Sequence, residues 1–330
     1  MREITYLEAI REAMQQMMRT NPDVYLIGED VAEYGGAFGV SVGMLEEFGK
    51  ERVRNSPISE DALIGVAIGS AVTGMRPIAE IMFSDFITIA MDEIANQAAK
   101  IRYQFGGKAT VPMVIRTAGG GGTGAASQHS QSLEALVAHI PGLKVVMPST
   151  PYDAKGLLIA SIRDNNPVIF IEHKLLYKNK KYTSNVPMEI YEIPLGVGEV
   201  KREGSDITIV STAFMVQKSI EVAEELKNEK GVECEVVDPR TLRPLDIDLI
   251  LGSVKKTGRL VCVEEACSFG GFMGEVVSQV VEKGFDWLDA PILRIAGRNC
   301  PVPYSIVLEN EMIPSHERIK RGILRVLQEA

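Results

Sequence analysis

The chain has 330 residues, 35 basic and 44 acidic side chains, a net charge of −9 and 45% hydrophobic residues. That length favours two domains with buried cores, and the acidic balance repels polyanions, so nucleic acid is not an expected partner. Cys234, Cys262, Cys267 and Cys300 show no C-x-x-C spacing, the start Met1–Leu7 lacks an apolar leader, and no apolar stretch reaches spanning length; together these predict a cytoplasmic protein with reduced thiols.

Short β-branched runs at Val24–Ile27, Pro77–Ile81, Val111–Arg116, Lys144–Met147 and Val168–Glu172 alternate with longer stretches of helical apolar spacing, the pattern of a parallel α/β sheet. The lysine-rich stretch Lys178–Asn185, followed by Pro187 and Pro194, reads as a linker. The rhythm then resumes with strands at Ile207–Ser211, Cys234–Val237 and Leu260–Glu264, a helix from Val216 to Glu229, and a helix after Gly271. The predicted fold class is α/β with two open α/β domains, over residues 1–185 and 186–330.

The run Gly119-Gly120-Gly121-Gly122-Thr123-Gly124 satisfies G-x-G-x-x-G after a predicted strand, which invites a nicotinamide-dependent dehydrogenase reading. Against it, no acidic residue ends a second strand about 20 positions on, and so glycine-rich a run matches many patterns by chance. A mobile loop is the plain structural alternative. The run lacks the Gly-Lys-Ser/Thr ending of a P-loop.

In Asn55-Ser56-Pro57-Ile58-Ser59-Glu60-Asp61, an extended Ser-Pro segment runs into a helix patterned Leu63, Val66, Ala67, Ser70 and Ala71, so Glu60 falls in its first turn. Taken locally, an acid there simply suits the helix dipole. Gln128-His129-Ser130-Gln131-Ser132 sets one of only four histidines just past the glycine run, where a solvated surface group is the ordinary reading.

The series Gly28-Glu29-Asp30-Val31, Ser56-Pro57-Ile58-Ser59-Glu60, Gly74-Met75-Arg76-Pro77-Ile78, Gln128-His129-Ser130-Gln131-Ser132, Pro141–Val146 and Arg163-Asp164-Asn165-Asn166-Pro167 resembles β subunits of pyruvate, branched-chain 2-oxoacid and acetoin dehydrogenases. Asp238–Asp246, Leu288-Asp289-Ala290-Pro291 and Pro301-Val302-Pro303-Tyr304 are similar to the transketolase-type C-terminal domain. The resemblance implies a transketolase-like pyrimidine-binding domain followed by that C-terminal domain, and thiamine diphosphate as cofactor.

By the same resemblance, Glu60 matches the glutamate that bonds the aminopyrimidine ring and relays its proton, and Ile58 and Phe86 match apolar positions bordering that ring. His129 matches a histidine assigned to proton transfer or to acyl transfer onto a lipoyl group, a task an imidazole can perform near neutral pH. Glu29 resembles an acid of a polar channel between paired sites, although Ile89 stands where some relatives carry a polar residue. Met113, Ser161, Ile162, Asp164 and Asn166 match positions whose main-chain oxygens hold potassium in some members. No Gly-Asp-Gly segment, the magnesium anchor of thiamine enzymes, occurs in the 330 residues. An α subunit is therefore expected to hold magnesium and the diphosphate in an α2β2 heterotetramer, with a lipoyl-bearing acyltransferase as further partner. Segments at Ala79–Asp92, Met147–Lys155 and Glu172–Tyr177 are most similar to acetoin dehydrogenase β subunits, with pyruvate and branched-chain 2-oxoacid enzymes next; a non-catalytic scaffold subunit is the remaining alternative.

Overall fold

The computed structural model describes residues 1–328. It divides into two units, Met1–Gly119 with Leu136–Leu195, and Gly120–Ala135 with Gly196–Ala330. The main elements of the first unit are β1 (Arg2–Ile4), α1 (Tyr6–Thr20), β2 (Val24–Gly28), β3 (Val53–Asn55), α2 (Glu60–Val72), β4 (Arg76–Ile81), β5 (Val114–Gly119), β6 (Lys144–Val146), α3 (Pro151–Arg163), β7 (Val168–His173) and β8 (Ser184–Val186). Six of these strands are parallel, in the order β6-β7-β5-β4-β2-β3.

Local chemistry explains these boundaries. Thr5 and Glu8 form a reciprocal capping box at the start of α1, which satisfies otherwise unpaired amide donors. The predicted strand Val111–Arg116 begins later, at Val114, because Pro112 has no N–H to give a sheet ladder. Part of the predicted linker is itself a strand: Ser184–Val186 pairs antiparallel with Arg2–Ile4. Strands β2, β4, β5 and β7 are buried at nearly every position, as expected where helices cover both faces of a parallel sheet.

The second unit contains β9 (Glu199–Arg202), β10 (Ile207–Ser211), α4 (Phe214–Lys230), β11 (Cys234–Asp238), α5 (Ile247–Thr257), β12 (Leu260–Cys267), α6 (Met273–Gly284), β13 (Leu293–Gly297), α7 (Ile306–Met312) and α8 (His316–Gln328). Its sheet runs β13-β12-β10-β11-β9, parallel except for the edge strand β9. Helices α4 and α5 stop at Gly231 and Gly258, both left-handed, where a side chain would be strained. Among the described residues, no helix is long and apolar enough to cross a membrane.

At the centre of the first sheet lies a buried cluster of charges. Arg116 on β5 is 1% exposed. Its Nη1 donates to Glu80 Oε2 on β4 at 2.6 Å, and its Nε and Nη2 donate to both oxygens of Glu172 on β7 at 2.7 and 2.8 Å. Tyr177 Oη donates to the same Glu172 at 2.7 Å. Burial by itself would lower the Arg116 pKa, but the charges of Glu172 and Glu80 outweigh it and raise that pKa, so the guanidinium stays protonated. Removing one partner of such a cluster leaves the others buried and uncompensated. Arg116→Met should therefore destabilise the first unit by roughly 3–5 kcal/mol, read as lost hydrogen-exchange protection of β4, β5 and β7. Protection unchanged in that variant would show that the cluster does not hold the sheet.

Candidate active site

Three adjacent parallel strands end side by side, with Gly28 opposite both Asn55 and Glu80. Ligands of open α/β sheets gather beyond such carboxyl ends. Glu29 directly follows β2, the segment Ser56–Glu60 follows β3, and Phe86 lies in the turn after β4. The strand ends are stitched together by Ser56 N donating to Gly28 O at 2.8 Å and Ala32 N to Asn55 Oδ1 at 2.8 Å. Gly28 permits the close approach, since a Cβ there would lie 3.0 Å from Glu80 Cβ.

Glu60 is 5% exposed in the first turn of α2, and Glu29 is 6% exposed. Burial first, and then the Glu60 charge, raise the Glu29 carboxyl above its ordinary value, against a hydrogen bond from the Ser59 backbone. The Glu60 charge thus reaches Glu29, and the Glu29 carboxyl is shifted toward its protonated form. Glu29 Oε1 is buried with no hydrogen-bond partner among the described residues. Phe86 is half-buried and meets Phe83 edge-on with ring centroids 5.8 Å apart. Ile58, in contrast, is 84% exposed, so within this chain it shields nothing.

The five candidate potassium positions lie at the other end of the same sheet, where β5 and β7 begin. Met113 precedes β5, while Ser161, Ile162, Asp164 and Asn166 span the end of α3 and the turn before β7. Ile162 O and Asp164 O accept from one nitrogen of Arg76 at 2.9 and 3.0 Å. Met113 O accepts from Val168 N at 3.0 Å, and Ser161 O from Asp164 N at 3.2 Å. Arg76 thus already supplies positive charge at two of these oxygens. Asn166 contributes its side chain as well, receiving from Arg102 at 2.6 Å.

His129 lies in the second unit, half-buried in the segment that follows the glycine run. The run is not an open phosphate cradle. Gly122 N and Gly124 N donate to the two carboxyl oxygens of Glu309 at 2.8 and 2.9 Å, and Gly121 N donates to Glu265 Oε1. These are the amides that a pyrophosphate would need, and the carboxylates beside them would repel it. The nicotinamide reading of the run therefore fails on electrostatics. Glu265 and Glu309 were invisible to motif reading, because a carboxylate gripping backbone amides leaves no spacing signature; the one available signal is acids within the apolar run Leu260–Ala266 and an acid directly after Ile306–Leu308.

Residues 2–180 match the transketolase pyrimidine-binding domain family and residues 196–319 the transketolase C-terminal domain family. Similarity extends over full-length chains. The chain is 48% identical to the acetoin:2,6-dichlorophenolindophenol oxidoreductase subunit beta of Bacillus subtilis (strain 168), over 99% of this chain and 98% of that one. It is 44% identical to the pyruvate dehydrogenase E1 component subunit beta of Rickettsia felis, over 98% of each, and 44% identical to the 2-oxoisovalerate dehydrogenase subunit beta of Bacillus subtilis (strain 168), over 97% of each. The chain belongs to the family of acetoin and 2-oxoacid dehydrogenase β subunits. A solved split-gene transketolase, described as an inactive beta4 tetramer, shares the fold with a TM-score of 0.79 at 23% identity, covering 99% of both chains.

In this β-subunit chain the second unit carries two further acids that sequence reading did not single out. Burial pushes the Glu134 carboxyl up to about 8, with the charges of Glu264 and Glu265 adding to the rise. Burial likewise pushes Glu264 up to about 7. Glu134 Oε2 and Glu264 Oε1 are buried without hydrogen-bond partners among the described residues, as suits protonated carboxyls. In the unfolded chain both return toward the ordinary value of 4.5. The folded state then binds more protons than the unfolded state across the interval, so stability is full below about pH 4.5 and declines as pH rises toward 7 and 8. Unfolding followed through Trp287, the single tryptophan, should show a midpoint that falls between pH 5 and 9, and Glu134→Gln should flatten the slope. An identical slope in that variant would remove Glu134 from the account.

Proposed function

We propose that this chain is the β half of a thiamine-diphosphate-dependent enzyme that cleaves acetoin and passes the acyl unit to a lipoyl carrier. The observation that carries the reading is the buried Glu29–Glu60 pair at the carboxyl ends of β2 and β3. Acetoin is preferred over pyruvate because two acetoin relatives reach 48% and 47% identity, against 42–46% for several pyruvate relatives.

The site fits an aminopyrimidine ring. Glu60 offers a carboxyl that can share a proton with a ring nitrogen, and the unsatisfied Glu29 Oε1 beside it offers an acceptor. Thiamine diphosphate, when bound, supplies the carbon nucleophile. Phe86 would cover one side of the ring and keep water from the Glu60 hydrogen bond, which strengthens it. The neighbouring Glu29, whose carboxyl is raised by burial and then by the Glu60 charge, places a second polar group beside the ring.

Gly-Asp-Gly is absent from the sequence, and among the described residues there is no group of His, Cys, Asp and Glu able to hold a metal ion. An α-type partner supplies the magnesium and diphosphate half, in an α2β2 assembly. Two surface features support a partner. Ile58 is open to solvent beside Glu60, and α2 buries Leu63, Ile64 and Ile68 while also exposing Val66 and Val72. A helix apolar on both sides is made to be covered on both.

The isolated chain should show no acetoin cleavage, and addition of the α-type chain should restore it; turnover by the β chain alone would overturn the reading. Within the assembled enzyme, Glu60→Gln keeps volume and a hydrogen bond but loses the exchangeable proton, and should slow proton exchange at the thiazolium carbon by roughly 10²–10⁴-fold. Near-native exchange would remove Glu60 from that role. His129→Ala should lower transfer to the lipoyl carrier far more than reduction of the dye 2,6-dichlorophenolindophenol, which bypasses the carrier. Equal losses, recovered by saturating cofactor, would reduce His129 to a tether.

A further inference from the structure

The loop that presents His129 is built from residues with little conformational restraint of their own. Gly120, Gly122 and Gly124 have positive φ, at 84°, 89° and 67°, and Ala126 is held in the same region at 63°, which an alanine adopts only at a cost. Glycine gives up more conformational freedom on ordering than any other residue, so such a segment holds one shape only if something outside it fixes the shape. At its base, Gly120 N donates to Gln131 O at 3.3 Å. His129 N lies 3.5 Å from Ala126 O.

What fixes the loop is Glu309. Its side chain is 0% exposed on α7, and both of its oxygens are spent on the loop, one on Gly122 N and one on Gly124 N. Glu265 holds the residue just before them, accepting from Gly121 N. Amide bonds to a carboxylate are stronger than neutral ones, and a bidentate pair sets direction as well as distance. The fit depends on glycine, since a Cβ at Gly121 would come within 3.2 Å of Glu309 Oε1 and 3.4 Å of Glu265 Oε1. Beyond His129, Ser130 and Leu133 border a cavity of about 70 Å³ lined also by Glu265 and Ile313, which gives a released loop room to collapse.

We infer that Glu309 is a positioning residue for His129: by clasping Gly122 and Gly124 it fixes the loop in the shape from which the imidazole acts. The inference rests on the transfer role proposed for His129. Glu309 acts through the backbone and touches no reacting group.

The experiment uses the enzyme assembled with its α-type partner and compares wild type, His129→Ala, Glu309→Gln, Glu309→Asp and the double variant His129→Ala/Glu309→Gln. Glu309→Gln keeps the volume but turns an NH2 toward one of the loop amides; Glu309→Asp keeps the charge but withdraws it by one methylene. Hydrogen exchange of the 120–131 segment should rise by roughly tenfold in both Glu309 variants, with α4 and α8 unchanged. The ratio of lipoyl transfer to dye reduction should fall by roughly 10–10²-fold in each, and the double variant should be no lower than His129→Ala alone. Unchanged exchange in the loop, proportional loss of both rates, or additive losses in the double variant overturns the inference. A lowered ratio in His129→Ala with an unchanged ratio in both Glu309 variants overturns the inference alone. An unchanged ratio in His129→Ala overturns the role of His129 and this inference with it.

Discussion

The first unit depends on one buried cation. Arg116 sits on the middle one of three neighbouring strands and binds an acid on each side, Glu80 on β4 and Glu172 on β7. Two carboxylates at that depth would repel each other and be poorly solvated; the guanidinium between them turns the repulsion into cross-strand attraction with defined geometry. The consequences reach the candidate site by packing. Glu80 lies opposite Gly28, the residue before Glu29, so its position sets where β2 ends. On the other side, Glu172 accepts from Tyr177, whose ring lies 5.1 Å from Phe38, with Phe38 5.5 Å from Phe83 and Phe83 5.8 Å from Phe86. The acid and the aromatic that would flank a bound ring are thus both supported from the same ion cluster.

The chain neutralises its buried acids in three ways, and each suits a different task. Glu80 and Glu172 are paired with a fixed cation, which makes them rigid and chemically inert. Glu309 is paired with two backbone amides of one loop. Glu29, Glu134 and Glu264 are left without a full set of partners, and their carboxyls are raised toward the protonated form. Perturbed acids of the last kind mark functional sites only when they open onto space a ligand can reach. Glu29 lies just beyond the end of β2, whereas Glu134 and Glu264 belong to the second unit, where their raised carboxyls lower stability as pH rises.

Much of the first sheet was legible because a buried parallel strand is a continuous apolar run. Val24–Ile27, Pro77–Ile81 and Val168–Glu172 all lie within observed strands. Glu60 was legible because helix starts have a local grammar, and the structure opens α2 at that residue. The ends of elements were less visible where a single residue type decides them: Pro112 delayed β5, and the polar pair Ser184 and Asn185 concealed an edge strand that needs only one face in contact. Arg116 was concealed in a run read simply as strand, since its partners lie 36 and 56 residues away. Glu309 is further still, 187 residues from Gly122. Sequence periodicity carries information over a few turns, while these interactions are fixed only once the topology has brought distant strands and loops together.

The glycine run shows why composition alone misleads. A glycine-rich turn after a parallel strand frees several amide N–H groups, and the sequence cannot say which anion will receive them. In dinucleotide sites the anion is a ligand phosphate and the loop must stay open. Here the anions are side chains of the same unit, so the amide charge is consumed internally and the glycines serve close approach to a carboxylate instead. The same backbone freedom that would admit a pyrophosphate is converted into a fixed mount. His129 follows five residues beyond that mount, half-buried rather than packed into a core.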